Sequence, residues 1–187
     1  LIAEFIDNLR IRPVVTAFTA TATEVVRKDV INLLKLRNPY IYIGSFDREN
    51  LEIKLYIEED KLELVKDIIR EREGEAGIIY CATRKEVDGL YYYLKDLGYD
   101  VLKYHGGLKD SEKEFYQDEF LNENSNVMIA TNAFGMGIDK SNIRYIIHFT
   151  IPKNIEGYYQ EIGRAGRDGF SAKCYLFFNR ADIRTLE

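Results

Sequence analysis

Short apolar runs alternate, along most of this chain, with stretches whose apolar residues recur every three or four positions. The short runs have the length of buried strands and lie at residues 77–81, 101–104, 127–130, 145–149 and 174–178. The stretches with helical spacing lie at residues 61–72, 83–97, 110–121 and 154–162. This alternation predicts βαβ units around a parallel β-sheet, and therefore an α/β fold.

The first 60 residues follow a different pattern. Residues 14–18 are apolar enough for a strand, and Thr21 with Glu24 predicts a capping box that opens a helix ending at Asn38 and Pro39. Two β-rich runs follow, at residues 40–43 and 51–57. We therefore predict three segments: the closing piece of another domain at 1–38, a connector at 39–60, and a compact domain at 61–187.

Composition excludes several classes of protein. Of the 187 residues, 46% are hydrophobic, which suffices for a folded core. No apolar run reaches the length of a membrane span, so we expect no membrane partner. Cys81 and Cys174 lack metal-ligand spacing and are predicted to be buried, reduced thiols. With only two histidines in the chain, we also expect no metal site.

Charge is unevenly distributed. The net charge of −5 argues against a uniformly basic nucleic-acid binder. Residues 61–139 carry 10 basic and 16 acidic side chains, whereas residues 140–187 carry 8 basic and 5 acidic ones. The positive end of the chain therefore coincides with a pair of arginines, although an asymmetry of this size is also common on ordinary protein surfaces.

That pair, Arg164 and Arg167, lies in a glycine-rich segment at residues 160–169. Guanidinium groups suit bidentate contact with phosphate oxygens, and the glycines leave room for a large polyanion to approach. A spacing of three places both side chains on one side of a helical turn. Two arginines at this spacing, taken alone, are more often part of a solvated, salt-bridged loop, so the interpretation depends on the rest of the chain.

Several other segments follow predicted strands directly. Residues 131–140 form a loop with two glycines, whose backbone N–H groups can make a nest for anionic oxygens, and Asp139 can accept from a ribose hydroxyl. The helix that begins after Thr83 offers free N–H groups beside Arg84, which suits a phosphate. His105 opens a tight turn and either contacts a phosphate or has a structural role. In a parallel sheet these segments should align along one edge, together with residues 150–153.

The usual phosphate-binding loop of an NTPase is missing. The pattern G-x-x-x-x-G-K-[ST] occurs nowhere in the chain, and no acidic Mg²⁺-binding motif is recognisable. Arginines directed at phosphate without such a loop indicate a contribution to a site that is built mainly elsewhere. An arginine finger works in this way, because its charge acts only when the transferring γ-phosphate lies opposite.

Together these segments resemble the RecQ family of ATP-dependent DNA helicases, which belong to superfamily two. The matching segments occur in the family's order and cover nearly the whole chain, at residues 17–23, 44–51, 77–81, 104–108, 130–140 and 157–169. The resemblance implies that residues 1–38 are the tail of a first RecA-like domain. It also implies that residues 61–187 are the second RecA-like domain, a parallel sheet flanked by helices on both faces.

For the nucleotide, the resemblance implies that Arg167 is the finger that meets the γ-phosphate of ATP. Arg164 would support it, and Gln160 would sense the same site. The loop that couples nucleotide to DNA would include Gly135, Gly137 and Asp139. ATP with Mg²⁺ would be bound mainly by the first RecA-like domain, which is the expected partner in cis, and no zinc is expected in this chain.

For DNA, the resemblance implies single-stranded and duplex substrates and translocation from 3′ to 5′. The path of the single strand would be lined by Thr83, Arg84, His105, Thr131 and Asn132, and the link between the two domains would contain Thr19 and Thr21. Glu49 and Gly106 depart from the proline and alanine that are frequent in the family. Such a protein would be cytoplasmic in a bacterium and nuclear in a eukaryote.

Two other interpretations remain open at this point. An RNA-directed helicase would share the phosphate contacts, because only the 2′-hydroxyl distinguishes the two nucleic acids. A non-catalytic α/β binding module is the alternative from another class. If the chain is part of a RecQ-like DNA helicase, we expect these 187 residues alone to neither hydrolyse ATP nor unwind DNA.

Overall fold

The chain divides into two units in the computed structural model, which describes residues 2–19, 23–44, 47–135, 138–180 and 182. The first unit spans Leu1–Asp47 and the second spans Arg48–Glu187. Among the described residues, no helix combines the length and apolar character that a bilayer-spanning segment requires.

The described residues of the first unit include two helices, α1 at Ile2–Asp7 and α2 at Glu24–Leu33. Thr23 caps α2 by accepting a hydrogen bond from Val26 N at 3.4 Å. The predicted capping box placed this role at Thr21, which lies outside the described residues. The predicted helix also extended too far, because α2 ends at Leu33.

Two predicted strands of this unit are wrong. Residues 14–18 and 40–43 are apolar, but the structure gives them no regular secondary structure. A strand is stabilised by backbone hydrogen bonds to a neighbouring strand. None of the sheet pairings in the described part of the chain involves these two segments.

The second unit is a parallel sheet of six strands with helices between them. Its strands are β1 at Leu51–Ile57, β2 at Ala76–Tyr80, β3 at Leu102–Tyr104, β4 at Val127–Ala130, β5 at Ile143–His148 and β6 at Ala172–Phe178. Its helices are α3 at Lys61–Glu71, α4 at Arg84–Asp96, α5 at Asp110–Leu121 and α6 at Ile155–Ile162. The spatial order is β1-β6-β5-β2-β4-β3 and every pairing is parallel, which confirms the predicted α/β class.

Helices cover both faces of the sheet, as predicted. One core cluster joins α3 and α4 to the face that carries Ile79, Ile129 and Ile147. The other joins α5 and α6 to the face that carries Ile78 and Ile146. Successive strand residues alternate between the two clusters because side chains in a strand point to opposite faces.

The two cysteines lie in these cores as free, buried thiols, as predicted. Burial raises the pKa of the Cys174 thiol to about 12 and also raises that of Cys81. Neither thiol therefore has the thiolate character that a reactive cysteine requires.

The predicted connector at residues 39–60 needs correction. Strand β1 pairs with β6 along its whole length, from Leu51 opposite Ala172 to Ile57 opposite Phe178. Residues 51–57 are thus the edge strand of the second unit. The pairing joins segments more than 100 residues apart, so no local pattern reveals it.

Gly77 on β2 provides a test of how tightly this sheet is packed. A Cβ atom at Gly77 would lie 2.0 Å from Cζ of Tyr145, its register partner on β5. We expect Gly77→Ala to lower the free energy of unfolding by about 3 kcal/mol, because neither backbone nor ring has room to move.

The matched control is Gly89 within α4, where an added Cβ would have no other atom within 4 Å. Gly89→Ala should raise stability by about 0.5–1 kcal/mol through helix propensity. Urea denaturation measures both changes. Equal midpoints for the two variants would contradict the packing argument.

Candidate nucleic-acid and nucleotide site

The carboxyl ends of the central strands form an aligned row. Tyr80 at the end of β2 is in register with Ala130 on β4 and with His148 on β5, and Tyr104 on β3 is in register with Ala130. The loops that follow therefore begin side by side, which confirms the predicted alignment. A backbone hydrogen bond extends this alignment into the loop after β4, since Thr131 N donates to Tyr104 O at 3.1 Å.

The amino end of α4 opens on this edge with the predicted capping box. Thr83 Oγ1 accepts from Glu86 N at 3.2 Å, and Glu86 Oε2 accepts from Thr83 N at 3.0 Å. Glu86 Oε1 also accepts from Thr150 Oγ1 at 3.3 Å, which ties the loop after β5 to α4. Thr83, Arg84 and Lys85 are exposed. Two exposed cations thus lie beside a helix amino end, an arrangement whose charge suits an anion.

The turn after β3 lies against Arg84. The Cδ and Nη1 atoms of Arg84 are each 3.2 Å from the position that a Cβ would take on Gly107. His105 Nδ1 accepts from Gly107 N at 3.1 Å, so in its neutral form the proton is on Nε2, which lies 3.3 Å from Asp88 Oδ1. His105 is only 5% exposed. Its ring therefore holds the glycine turn in place and is not presented to a ligand.

Asp88 links this turn to Lys103 on strand β3. Its Oδ1 atom also accepts from Lys103 Nζ at 2.6 Å. Burial raises the pKa of Asp88, but hydrogen bonds from Lys103 and His105 outweigh burial and hold that pKa below its usual range. The carboxylate therefore stays ionised and fixes both partners.

The loop at residues 131–140 connects the two edges of the sheet. It leaves the carboxyl end of β4 with Thr131 buried and Asn132 exposed. It then continues toward Ile143, which begins β5 at the opposite edge. Gly135 is buried with a φ of +114°. Asp139 is exposed, and Gly137 lies outside the described residues.

Residues 166–168, which flank and include Arg167, lie at that opposite edge. Gly166 N donates to Ile143 O at 2.9 Å, and Asp168 N donates to Ser141 O at 3.3 Å. The backbone of Arg167 is thus separated from Arg84 by the length of the strands. The sequence alone did not indicate this separation.

Both arginines contact the connecting loop. Arg164 Nη1 donates to Gly135 O, and Arg167 Nη1 donates to Ile138 O at 3.1 Å. Arg164 fits only because residue 135 is glycine, since a Cβ there would lie 2.4 Å from Arg164 Cζ. Arg167 is exposed and Arg164 is half-buried. Among the described residues, neither guanidinium forms an ion pair with a carboxylate.

Gln160 lies four residues before Arg164, on the exposed part of α6. Because α6 ends at Ile162, Arg164 lies in the turn that follows the helix. Thr19 is exposed in the first unit, and Thr21 lies outside the described residues. The coupling role of both threonines therefore stays a prediction.

Two residues that anchor the arginine segment were not singled out from the sequence. Arg48 Nη2 donates to Ala165 O at 3.2 Å and to Gly166 O at 3.0 Å. Asn50 Nδ2 donates to Gly166 O and to Phe170 O, both at 2.9 Å. Gly166 has a φ of +57° and no room for a Cβ, so the turn is rigidly held. Both residues lie within residues 44–51, a segment that resembles the RecQ family, and this position was the one sequence feature that could have indicated their importance.

Comparison with known proteins identifies the domain. The family described as "Helicase conserved C-terminal domain" matches residues 60–169. The chain belongs to this family. Over 176 residues it is 46% identical to "ATP-dependent DNA helicase RecQ" of Bacillus subtilis, a match that covers 94% of this chain and 30% of that protein. It is 44% identical to "RecQ-like DNA helicase BLM" of Xenopus laevis, over 91% of this chain and 13% of that protein.

These matches make the chain a helicase C-terminal domain of the RecQ type, and it spans less than a third of the length of these relatives. A solved structure titled "S. cerevisiae Dbp5 bound to RNA and ADP BeF3" superposes with a TM-score of 0.74 at 24% identity. That match covers 90% of this chain and 46% of the other. At this identity, the likeness supports the RecA-like helicase fold alone.

Proposed function

We propose that this helicase domain is one half of the motor of an ATP-dependent DNA helicase that moves from 3′ to 5′. The observation that carries the proposal is the loop at residues 131–140. It begins at the edge that bears Thr83 and Arg84, and its carbonyl groups accept hydrogen bonds from Arg164 and Arg167. Relatives of similar sequence carry names that describe ATP-dependent DNA helicases.

The DNA contacts belong to the carboxyl edge of the sheet. Thr83 and Arg84 offer a helix amino end and a cation to a phosphate, and Thr131 and Asn132 follow the neighbouring strand. His105 acts through the turn that it holds, since its ring nitrogens already have partners. Contacts of this kind grip the backbone of a strand without reading its sequence.

The nucleotide contacts belong to the opposite edge. Arg167 reaches the γ-phosphate as an arginine finger, Arg164 supports it, and Gln160, exposed on α6 just before this turn, senses the same site. The chain has no phosphate loop of its own, so the first RecA-like domain in cis binds ATP with Mg²⁺. Among the described residues, no cluster of three or more His, Cys, Asp or Glu side chains is arranged for a metal ion.

Coupling follows from the connecting loop. A shift of Arg164 or Arg167 toward a γ-phosphate pulls on Gly135 and Ile138, and therefore on the loop that starts at Thr131. Asp139 takes part in the same movement, and we assign Gly137 to the same coupling role. Closure of the two domains on ATP and opening after hydrolysis then change the grip on the strand.

The first unit contributes to the other half of the motor. We assign residues 1–38 to the tail of the first RecA-like domain and Thr19 with Thr21 to the link between the domains. Residues 61–187, with strand β1, form the second RecA-like domain. A protein of this kind acts where DNA is, in the bacterial cytoplasm or the eukaryotic nucleus.

Nucleic-acid-stimulated ATP turnover of the full-length protein tests this function. A single-stranded DNA should raise turnover by about 10-fold or more over the basal rate, whereas RNA of the same sequence should not. A duplex with a 3′ single-stranded tail should be unwound, and one with a 5′ tail should serve as the negative control. Equal stimulation by RNA would move the assignment to an RNA-directed helicase. The absence of any ATP turnover would support a non-catalytic binding module.

A further inference from the structure

A cluster of polar and aromatic side chains is buried between the sheet and α6, next to Arg164. His148, at the end of β5, is 1% exposed. Its ring lies between that of Tyr80 on β2, at 5.6 Å between centroids, and that of Tyr158 on α6, at 5.0 Å. No part of the proposed function so far uses these side chains.

Glu161 on α6 connects this cluster to the arginine segment. Its Oε2 atom lies 2.8 Å from His148 Nε2, and its side chain is only 13% exposed. An ionised carboxylate only accepts hydrogen bonds, so His148 Nε2 is the donor. The backbone carbonyl of the same glutamate accepts from Arg164 N at 3.2 Å. One residue thus joins the end of β5 to the turn that carries Arg164.

Among the described residues, two polar atoms of this cluster are buried without a hydrogen-bond partner, the hydroxyl group of Tyr158 and His148 Nδ1. The hydroxyl group of Tyr80 lies beside the guanidinium of Arg164. Unsatisfied polar groups that gather in one place call for a functional explanation, because an apolar packing of the same shape would be more stable.

The charges of Glu161 and Arg164 both reach the hydroxyl of Tyr80. Burial raises the pKa of Tyr80, the guanidinium of Arg164 opposes that rise, and the carboxylate of Glu161 adds to it. Tyr80, which packs against His148, therefore lies within range of both charges.

We propose that Glu161, held by His148, is a positioning residue that directs Arg164 toward the nucleotide, an inference that rests on the proposed function. The last turn of α6 is fixed to the sheet through the hydrogen bond between these two side chains. Loss of that bond would free the turn while leaving both arginines in the sequence. Misplacement of a catalytic group by about 1 Å can cost as much as 10²-fold in rate.

Steady-state ATP hydrolysis by the full-length protein, with saturating single-stranded DNA, tests the inference. We expect Glu161→Ala and His148→Leu each to lower kcat by about 10-fold while KM for ATP and the affinity for DNA change by less than about twofold. His148→Gln should retain most of kcat, because an amide N–H can still donate to the carboxylate. The matched control is Glu156→Ala, which removes an exposed glutamate from the same helix.

A double-mutant cycle separates positioning from simple stabilisation. Glu161→Ala should add nothing to the loss of kcat that Arg164→Ala causes, because both changes act on the same guanidinium. Additive losses, or a lower melting temperature with normal kcat per folded molecule, would overturn the positioning role. If His148→Leu fails to fold, the Glu161 variants carry the test.

The arginine and glutamate variants distinguish the positioning role from the proposed function. If Arg164→Ala lowers kcat but Glu161→Ala does not, the positioning role is wrong and the proposed function stands. If Arg164→Ala and Arg167→Ala both leave kcat unchanged, the arginine roles and the inference that rests on them are both wrong.

Discussion

Replacing Arg167 by alanine in the full-length protein is expected to lower DNA-stimulated ATP turnover by about 10³-fold. The reason is electrostatic, because a guanidinium opposite the γ-phosphate stabilises charge that develops only in the transition state. In this structure Arg167 is exposed, and its Nη1 atom donates to Ile138 O at 3.1 Å, so the side chain is already held beside the connecting loop. The measurement is kcat for ATP with saturating single-stranded DNA.

Two further variants sharpen this prediction. Arg167→Lys keeps a charge but loses the planar fork, so it should recover only part of the lost rate. Arg70→Ala removes an arginine whose side chain is 63% exposed on α3, on the other face of the sheet, and should leave kcat unchanged. Unchanged turnover in Arg167→Ala would remove the assigned finger.

The isolated 187-residue chain is expected to show no measurable ATP turnover, with or without DNA, under conditions in which the full-length protein is active. The chain supplies arginines to a γ-phosphate, but it contains no loop that would bind the triphosphate and no acidic motif for Mg²⁺. An arginine finger without the site that it completes has nothing to act on.

The full-length protein in the same assay is the positive control, and full-length Arg167→Ala sets the background. Residual single-stranded DNA binding by the isolated chain is compatible with the proposal, since the carboxyl-edge residues are all present. Robust ATP hydrolysis by the isolated chain would show that a complete nucleotide site exists within it. That result would contradict the division of labour between two RecA-like domains.

Local sequence patterns predicted most of the second unit. The alternation of apolar runs and helical spacing predicted β2 to β6 and α3 to α6 to within about two residues at most ends. The predicted capping box is also present, with the two reciprocal hydrogen bonds between Thr83 and Glu86. These features depend on neighbours in sequence, so they are visible in the sequence itself.

The candidate site was predicted only in part. The alignment of the loops at the carboxyl edge follows from parallel topology, and the structure confirms it. The roles of Arg164 and Arg167 came from the family resemblance and remain proposals. The pattern did not reveal that His105 turns inward to Asp88, or that Arg48 and Asn50 hold the arginine segment.

The sequence by itself determined the class of fold, the cap of α4 at Thr83 and the types of side chain available for phosphate. Tertiary structure alone decided that residues 51–57 pair with β6, and that the runs at 14–18 and 40–43 form no strand. It also decided that Arg164 contacts Gly135 and that Glu161 contacts His148. The physical reason is that these contacts join segments brought together by packing, whereas periodicity and capping record only what lies within a few residues along the chain.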